Sequence, residues 1–118
     1  METLIKNEVT LKTPGAVKEL IRDMGGMYDD HNNWIPLDSR KILGVVKLAN
    51  ESLGCAVILD ARYQSINGLY LDDDMKLHIS DWSIGGVLWG NLNQESVDKY
   101  NQSITLEGCK IKSFELFN

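Results

Sequence analysis

Apolar residues in the first quarter of the chain recur with helical spacing. Four of them fall on one face of a helix: Val17, Leu20, Ile21 and Met24. Thr13 and Pro14 precede this stripe, and the pair is typical of a helix start, because a hydroxyl caps the first turn and proline needs no partner for its missing N–H. Gly25 and Gly26 follow, and glycine readily takes the left-handed conformation that ends many helices. The pattern predicts a helix over about residues 13–24.

A second apolar stripe follows a polar segment, residues 27–37, that we interpret as a loop. The stripe consists of Ile42, Val45, Val46, Ala49 and Leu53. Asp38 or Ser39 can cap its start, and Gly54 can end it. Its β-branched residues leave a strand over residues 42–47 as an open alternative. Because the stripe is long and bracketed by start and stop residues, we predict a helix over about residues 39–53.

After Gly54 the pattern changes to short apolar runs that are typical of strands. We predict strands within residues 56–59, 69–71, 76–80, 87–89, 103–106 and 109–117, and an earlier one at 4–11. Asn67-Gly68, residues 72–74 and Gly85-Gly86 are predicted turns, and Asn93 caps a short helix at 94–100. The expected fold is therefore α+β: an antiparallel meander with the helices at about 13–24 and 39–53 packed on one face.

Length and composition are those of one globular domain spanning residues 1–118. Apolar residues make up 43% and charged residues 25% of the 118 positions, which is ordinary globular usage. No apolar run is long enough to span a membrane, and residues 1–12 lack the pattern of a secretory signal. We therefore expect a cytoplasmic protein. Whether Cys55 and Cys109 pair stays open.

Charge is concentrated in two segments. The chain has a net charge of −5, so nucleic acid and anionic membrane surfaces are not expected partners. Residues 23–38 carry four acidic residues and no Lys or Arg, and residues 70–98 carry six acidic residues and one Lys. These segments contribute −4 and −5, which leaves +4 for the rest of the chain. The acidity is therefore local.

Both acidic segments also contain large aromatic residues, which indicates a binding surface. The candidate binding residues are Asp29, Asp30, Trp34, Asp72, Asp73, Asp74, Asp81 and Trp82. Carboxylates would steer and hydrogen-bond a basic partner, and the indole rings would be buried against it. The alternative is that aspartate occupies these turns because it bonds its own backbone, with both tryptophans in the core.

Catalytic and metal-binding patterns are weak. His78 and Ser80 point to one side of a strand while Asp81 points to the other, and no nucleophile elbow is present. The run at residues 72–74 lacks the glycine and later ligands of a calcium loop, and Cys and His spacing offers no zinc site. The two glycine pairs lack a phosphate-binding context. We therefore expect no catalytic residue, no metal and no cofactor.

These patterns favour a binding protein over an enzyme. The leading hypothesis is an immunity-type inhibitor that docks a basic toxin or nuclease through an acidic, Trp-containing surface. A second hypothesis is a small enzyme or ligand-binding domain, with a pocket between helices and sheet that contains His78 or Asp81. A third is a self-associating module that pairs through a hairpin at residues 104–117, if that hairpin lies on a sheet edge.

Overall fold

The computed structural model describes residues 11–59, 65–88 and 90–117, and for residues 80–87 it describes the backbone only. Within these ranges the chain forms seven strands and two α-helices. In chain order they are α1 Pro14–Met24, β1 Gly26–Tyr28, β2 Trp34–Pro36, β3 Gly44–Leu48, β4 Cys55–Ile58, β5 Ser65–Leu71, β6 Leu77–Val87, α2 Gln94–Ser103 and β7 Ile111–Leu116. The strand predicted at residues 4–11 lies outside the described residues, apart from Leu11.

The strands form one mixed sheet, in the order β2-β1-β6-β5-β4-β3-β7. Strands β3 to β6 are consecutive antiparallel neighbours, and β7 adds antiparallel to the outer side of β3. The β1–β2 hairpin joins the other side, where β1 runs parallel to β6. The α+β class is confirmed, but the sheet is not a simple meander, because β1 pairs in parallel with β6 and β7 pairs with β3, and neither pair is consecutive along the chain.

Helix α1 agrees with the predicted range. The Thr13 hydroxyl oxygen accepts a hydrogen bond from the Ala16 N–H at 3.2 Å, and Pro14 occupies the first turn. Gly25 ends the helix with φ of 74° and donates its N–H to the Ile21 carbonyl. The helix therefore begins and ends on the local signals that its sequence contains.

The helix predicted at about 39–53 is wrong. This segment forms strand β3 between two short 3₁₀ turns, Ser39–Lys41 and Glu51–Leu53. Strand β3 hydrogen-bonds β4 on one side and β7 on the other, and all its residues except Lys47 are buried. Because both faces of the strand are covered, its β-branched side chains pack in both directions, which a strand accommodates better than a helix.

Several predicted turns also differ from the structure. Asn67 and Gly68 lie inside β5, where register shifts on either side of Asn67 interrupt the pairing with β6. The Gly85-Gly86 pair lies inside β6. The predicted closing hairpin is absent, because residues 104–106 form no strand, Glu107–Cys109 is a 3₁₀ turn, and β7 pairs with β3. The predicted loop at 27–37 contains most of the β1–β2 hairpin.

Helices α1 and α2 pack on opposite faces of the sheet, and the predicted packing of helices 13–24 and 39–53 on one face is not confirmed, because residues 39–53 form no α-helix. Val17 and Ile21 of α1 share a buried cluster with Val45 of β3, whereas α2 packs with the neighbouring residue, Val46. Successive residues of a strand point to opposite faces, so the two clusters lie on either side of the sheet. Both cysteines are free, which answers the pairing question.

Candidate functional site

Two hairpin loops that both contact His78 have the same geometry. Residues 29–33 join β1 to β2, and residues 72–76 join β5 to β6. In each loop the backbone N–H of the first residue donates a hydrogen bond to the carbonyl oxygen of the fifth residue. The N···O distance is 2.9 Å in the loop that begins at Asp29 and 3.1 Å in the loop that begins at Asp72. In each loop the fourth residue has positive φ, 64° at Asn32 and 63° at Met75, and it donates its N–H back to the carbonyl of the first.

The aspartate that opens each loop holds it together. Asp29 Oδ1 accepts the N–H groups two and four residues later, at 2.9 and 2.8 Å. Asp72 Oδ1 does the same in its own loop, at 2.9 and 3.0 Å. The pKa of Asp29 is lowered mainly by the Asn33 N–H, and the pKa of Asp72 by the Lys76 N–H and then by His78. Both carboxylates therefore stabilise their own turns, which is a common role of Asp.

Four ring side chains form a continuous row between these loops, on four adjacent strands. This aromatic row consists of Trp34 on β2, Tyr28 on β1, His78 on β6 and Tyr70 on β5. Each member is the cross-strand partner of the next. The ring centroids are 5.1 Å apart for Trp34 and Tyr28, 5.5 Å for Tyr28 and His78, and 4.8 Å for the stacked His78 and Tyr70. The strand register therefore brings both acidic segments to one place.

His78 at the centre of the row connects the two loops. Its Nε2 lies 2.8 Å from Asp72 Oδ2, and its Nδ1 lies 3.1 Å from the backbone carbonyl oxygen of Asp29. The residue is only 6% exposed. Because both ring nitrogens are occupied and the ring is covered, His78 has no free lone pair or N–H with which to transfer a proton to a substrate.

The ends of the aromatic row are open to solvent. Trp34 is 44% exposed and Tyr70 41% exposed, although large apolar side chains are usually covered. Gly26 makes room for the indole, since a Cβ there would lie 2.8 Å from Trp34 Cζ2. Lys76 places its ammonium 5.0 Å from the centre of the Tyr28 ring. The row therefore presents one exposed ring at each end, with the half-buried Tyr28 and the buried His78 between them.

Three further carboxylates lie around the row. Asp30, Asp73 and Asp74 are exposed positions of the two loops. Asp30 accepts a hydrogen bond from the Tyr70 hydroxyl, which ties the first loop to β5. Desolvation raises the pKa of Tyr70, and the charges of Asp30 and Asp72 raise it further. The surface is therefore acidic and carries two exposed rings.

The structure places the predicted binding residues in three groups. Asp29 and Asp72 have their carboxylates in the loops, while Asp30, Trp34, Asp73 and Asp74 are exposed. Asp81 and Trp82 lie in β6, and their side chains fall outside the described part of the structure.

The sequence reasoning named His78 only as a weak catalytic candidate and as a polar group of a possible pocket, and it missed the position of His78 between the two loops. The available signal was the repeated pattern of an aromatic or apolar residue followed by Asp-Asp, at the start of both loops.

A cavity of about 220 Å³ lies at the end of α1 and is lined by Ile21, Arg22, Gly25, Leu37 and Phe117. Arg22 already donates to the Phe117 carbonyl at 2.6 Å and lies over its ring. Small-molecule sites are usually larger, at about 300–1,000 Å³. Among the described residues, no three His, Cys, Asp or Glu side chains are grouped so that they could hold a metal ion.

Within the described ranges, neither α1 nor α2 has the length and apolar character needed to cross a membrane. No protein-family model matches the chain, and no curated protein or solved structure matches it. The functional argument therefore rests on the geometry of the aromatic row and its two loops.

Proposed function

We propose that this chain is a small acidic binding protein that docks a basic protein through the aromatic row and the loops beside it. The concrete form is an immunity-type inhibitor that occupies the cationic cleft of a toxin or nuclease. The observation that carries the proposal is the exposure of Trp34 and Tyr70 at the two ends of a row that joins both acidic loops.

The exposed rings supply anchors whose positions are already fixed. Trp34 packs edge-on against Tyr28, and Tyr70 stacks on His78, so neither ring loses much rotamer freedom on binding. An indole with 44% of its surface exposed offers roughly 100 Å² for burial, which corresponds to about 2.5 kcal/mol. Rigid aromatic anchors of this kind dominate the energetics of many protein interfaces.

The carboxylates supply charge of the sign that a cationic cleft attracts. Asp30, Asp73 and Asp74 are exposed, and each belongs to a loop held by its own aspartate cap. Fixed charges around an apolar contact raise the association rate and set the orientation of the partner. A nuclease or a basic toxin presents the matching surface, because it needs a cationic cleft for its own substrate.

The proposal is tested by capture followed by kinetics. The immobilised chain is incubated at low salt with a lysate of its native host, bound proteins are eluted with NaCl, and mass spectrometry identifies them. Association of the purified partner is then measured by stopped flow over a range of ionic strength. The informative variant carries Asp30→Asn, Asp73→Asn and Asp74→Asn, and it leaves Asp29 and Asp72 in place because they hold the loops.

A control variant with the same change in net charge makes the test specific for position. It carries Glu95→Gln, Asp98→Asn and Glu115→Gln, all exposed positions of α2 and β7. The loop variant should associate roughly tenfold more slowly at low salt and depend less on salt, while the control stays close to the wild type. Equal effects of the two variants, or a captured partner without a basic surface, would contradict the proposal.

Self-association is the alternative that one observation favours. Strand β7 forms an edge of the sheet, with six residues and Leu116 46% exposed. Lys112 and Glu115 also lie on this strand, and charges on an edge strand oppose pairing with another copy. Light scattering over a range of protein concentrations distinguishes the two functions: a mass that doubles with concentration favours the alternative.

A further inference from the structure

The aromatic row ends on an uncovered face of the Tyr70 ring. The other face of this ring stacks on His78, with the two planes at 8° and the centroids 4.8 Å apart. Because the rings are nearly parallel, the outer face of Tyr70 points away from β6, toward the side of β5 on which β4 lies. Tyr70 is 41% exposed. Among the described residues, no further ring stacks on this outer face.

Gly54 explains why the outer face is open. Strands β4 and β5 pair Ala56 with Gly68, and the same register, continued by two residues, brings Gly54 beside Tyr70. Gly54 has φ of 69°, a conformation that residues with a side chain rarely adopt. A Cβ built there would have only the Leu69 carbonyl oxygen within 4 Å, apart from its chain neighbours. The position that would continue the row therefore contains open space.

The hydroxyl end of the Tyr70 ring lies among carboxylates. Asp30 accepts a hydrogen bond from this hydroxyl, which helps to fix the orientation of the ring. After desolvation, the charges of Asp30, Asp72 and Asp29 raise the pKa of Tyr70, so all three carboxylates are close enough to act on it. The ring thus combines an open aromatic face with a negatively charged edge.

We propose that this position, formed by the outer face of Tyr70, the space beside Gly54 and the Asp30 carboxylate, binds an arginine side chain of the partner. The arginine site rests on the docking proposal, because it specifies which side chain of a basic partner the acidic surface receives. A guanidinium matches both parts of the site, since its plane stacks on a ring while its N–H groups face a carboxylate.

The chain already makes contacts of this kind within itself. Lys76 places its ammonium 5.0 Å from the centre of the Tyr28 ring, and the Arg22 guanidinium lies 5.4 Å from the centre of the Phe117 ring. The Tyr28 ring in the middle of the row is therefore matched with a cation from the second loop. The outer face of Tyr70 remains for a cation supplied by another molecule.

Stacking distinguishes arginine from lysine at this site. Both side chains carry one positive charge, so the carboxylates attract both of them. The guanidinium is planar and weakly hydrated, whereas the ammonium is compact and strongly hydrated, so arginine loses less hydration when it lies on the ring. A cation over an exposed ring gains about two- to fivefold in affinity, and most of this gain should go to arginine.

Two peptides of equal charge test the arginine site without any partner. Hexa-arginine and hexa-lysine, blocked at both ends, are each titrated at low salt into the purified chain, and dissociation constants are measured by calorimetry. Because the peptide charges are the same, general attraction to the acidic chain largely cancels in the ratio of the two constants. Hexa-arginine should bind about two- to fivefold more tightly. In NMR spectra its addition should shift the ring signals of Tyr70, and those of the buried Tyr100 should stay unchanged.

Three variants locate the preference for arginine. Tyr70→Leu should abolish it and leave the affinity for hexa-lysine close to that of the wild type. Tyr70→Phe keeps the ring and should keep most of the preference, which separates loss of the ring from any disturbance caused by losing the hydroxyl. Trp34→Leu is the matched control, because it removes the exposed ring at the other end of the row, and the preference should remain.

Several results would overturn the arginine site. These are equal binding of the two peptides, no binding of either, an unchanged preference in Tyr70→Leu, and a preference that is lost in Trp34→Leu instead. The outcome is separate from that of the docking test, because no partner is used. Equal peptide binding together with a captured basic protein would remove the arginine site and leave docking intact. A preference that depends on Tyr70, without a captured basic protein, would keep the site and count against the inhibitor function.

Discussion

Replacing Asp72 by alanine should destabilise the chain more than the same change at Asp29. Both aspartates accept two backbone N–H groups within loops of the same geometry. Only the Asp72 carboxylate also bonds the ring of His78. The Asp29 carboxylate also accepts a hydrogen bond from the Asn33 side-chain amide at 3.2 Å, but that contact is exposed to solvent, so the difference between the two variants mainly reports the contribution of the His78 contact.

The expected magnitude follows from the burial of each partner. The His78 side chain is 7% exposed and the Asp72 side chain is 31% exposed. When the carboxylate is removed, water can therefore hydrogen-bond the loop N–H groups more easily than it can hydrogen-bond the buried ring of His78. A hydrogen bond to a charged group contributes about 1.5–3 kcal/mol, and the exposure of Asp72 argues for the lower half of this range. With a smaller loss from the two loop bonds, Asp72→Ala should lower the free energy of unfolding by about 2.5 kcal/mol.

Urea unfolding, followed by circular dichroism, measures the difference. With an m value of about 2 kcal/mol/M, the Asp72→Ala midpoint should lie roughly 1.2 M below that of the wild type. The Asp29→Ala midpoint should shift by less than half as much, and both m values should be unchanged. Equal shifts for the two variants would refute the reasoning, because they would show that the carboxylate contact to His78 contributes nothing to stability.

Three other predictions concern the strands and the acid range. Gly26→Ala should cost about 2 kcal/mol and alter tryptophan fluorescence, because the new Cβ would collide with the Ile35 carbonyl and the Trp34 ring; an unchanged melting temperature would contradict it. Ile58→Ala, at a fully buried position, should cost about 2–5 kcal/mol in urea unfolding, whereas Leu106→Ala, at a position 70% exposed, should stay within about 0.5. The lowered pKa of the turn-capping carboxylates, about 2 at Asp38 against an ordinary 3.8, means that their stabilisation is present above pH 3.8 and is lost as the pH falls toward 2, so urea midpoints should decline there.

The sequence predicted those elements whose signals are local. Helix α1 begins at Thr13 and ends at Gly25 because cap and stop are contained within the segment itself. The same holds for α2, where Asn93 and Ser96 form a reciprocal cap, 2.9 and 3.0 Å in length. The turn at residues 72–74 was also predicted correctly, since Asp72 bonds its own backbone.

The failures have a common physical reason, which is context beyond the segment. Strand β3 is covered by different clusters on its two faces, so its apolar residues do not alternate with polar ones, and the pattern can be read as a helical stripe. Asn67-Gly68 is a good turn sequence, yet it lies inside β5, opposite Val57 and Ala56 of β4. Pairing partners on both sides override such local preferences.

The candidate site shows the same division. Aspartate turns beside aromatic residues are visible in the sequence, and both loops form where the aspartates are. Their meeting depends on the parallel contact of β1 with β6, which matches Tyr28 with a residue 50 positions later, His78. Nothing in either segment specifies that contact, so the common surface became visible only in the folded chain.

The long sequence separation within the aromatic row bears on the order in which the protein assembles. The central strands are near neighbours along the chain and can pair one after another. The β1–β2 hairpin can join the sheet only after β6 has formed, because β1 pairs with β6. Trp34 and Tyr70 are thus brought into a common row by the event that completes the sheet. A partner that binds both rings together would therefore bind the fully folded protein and would not bind nascent or partly unfolded copies.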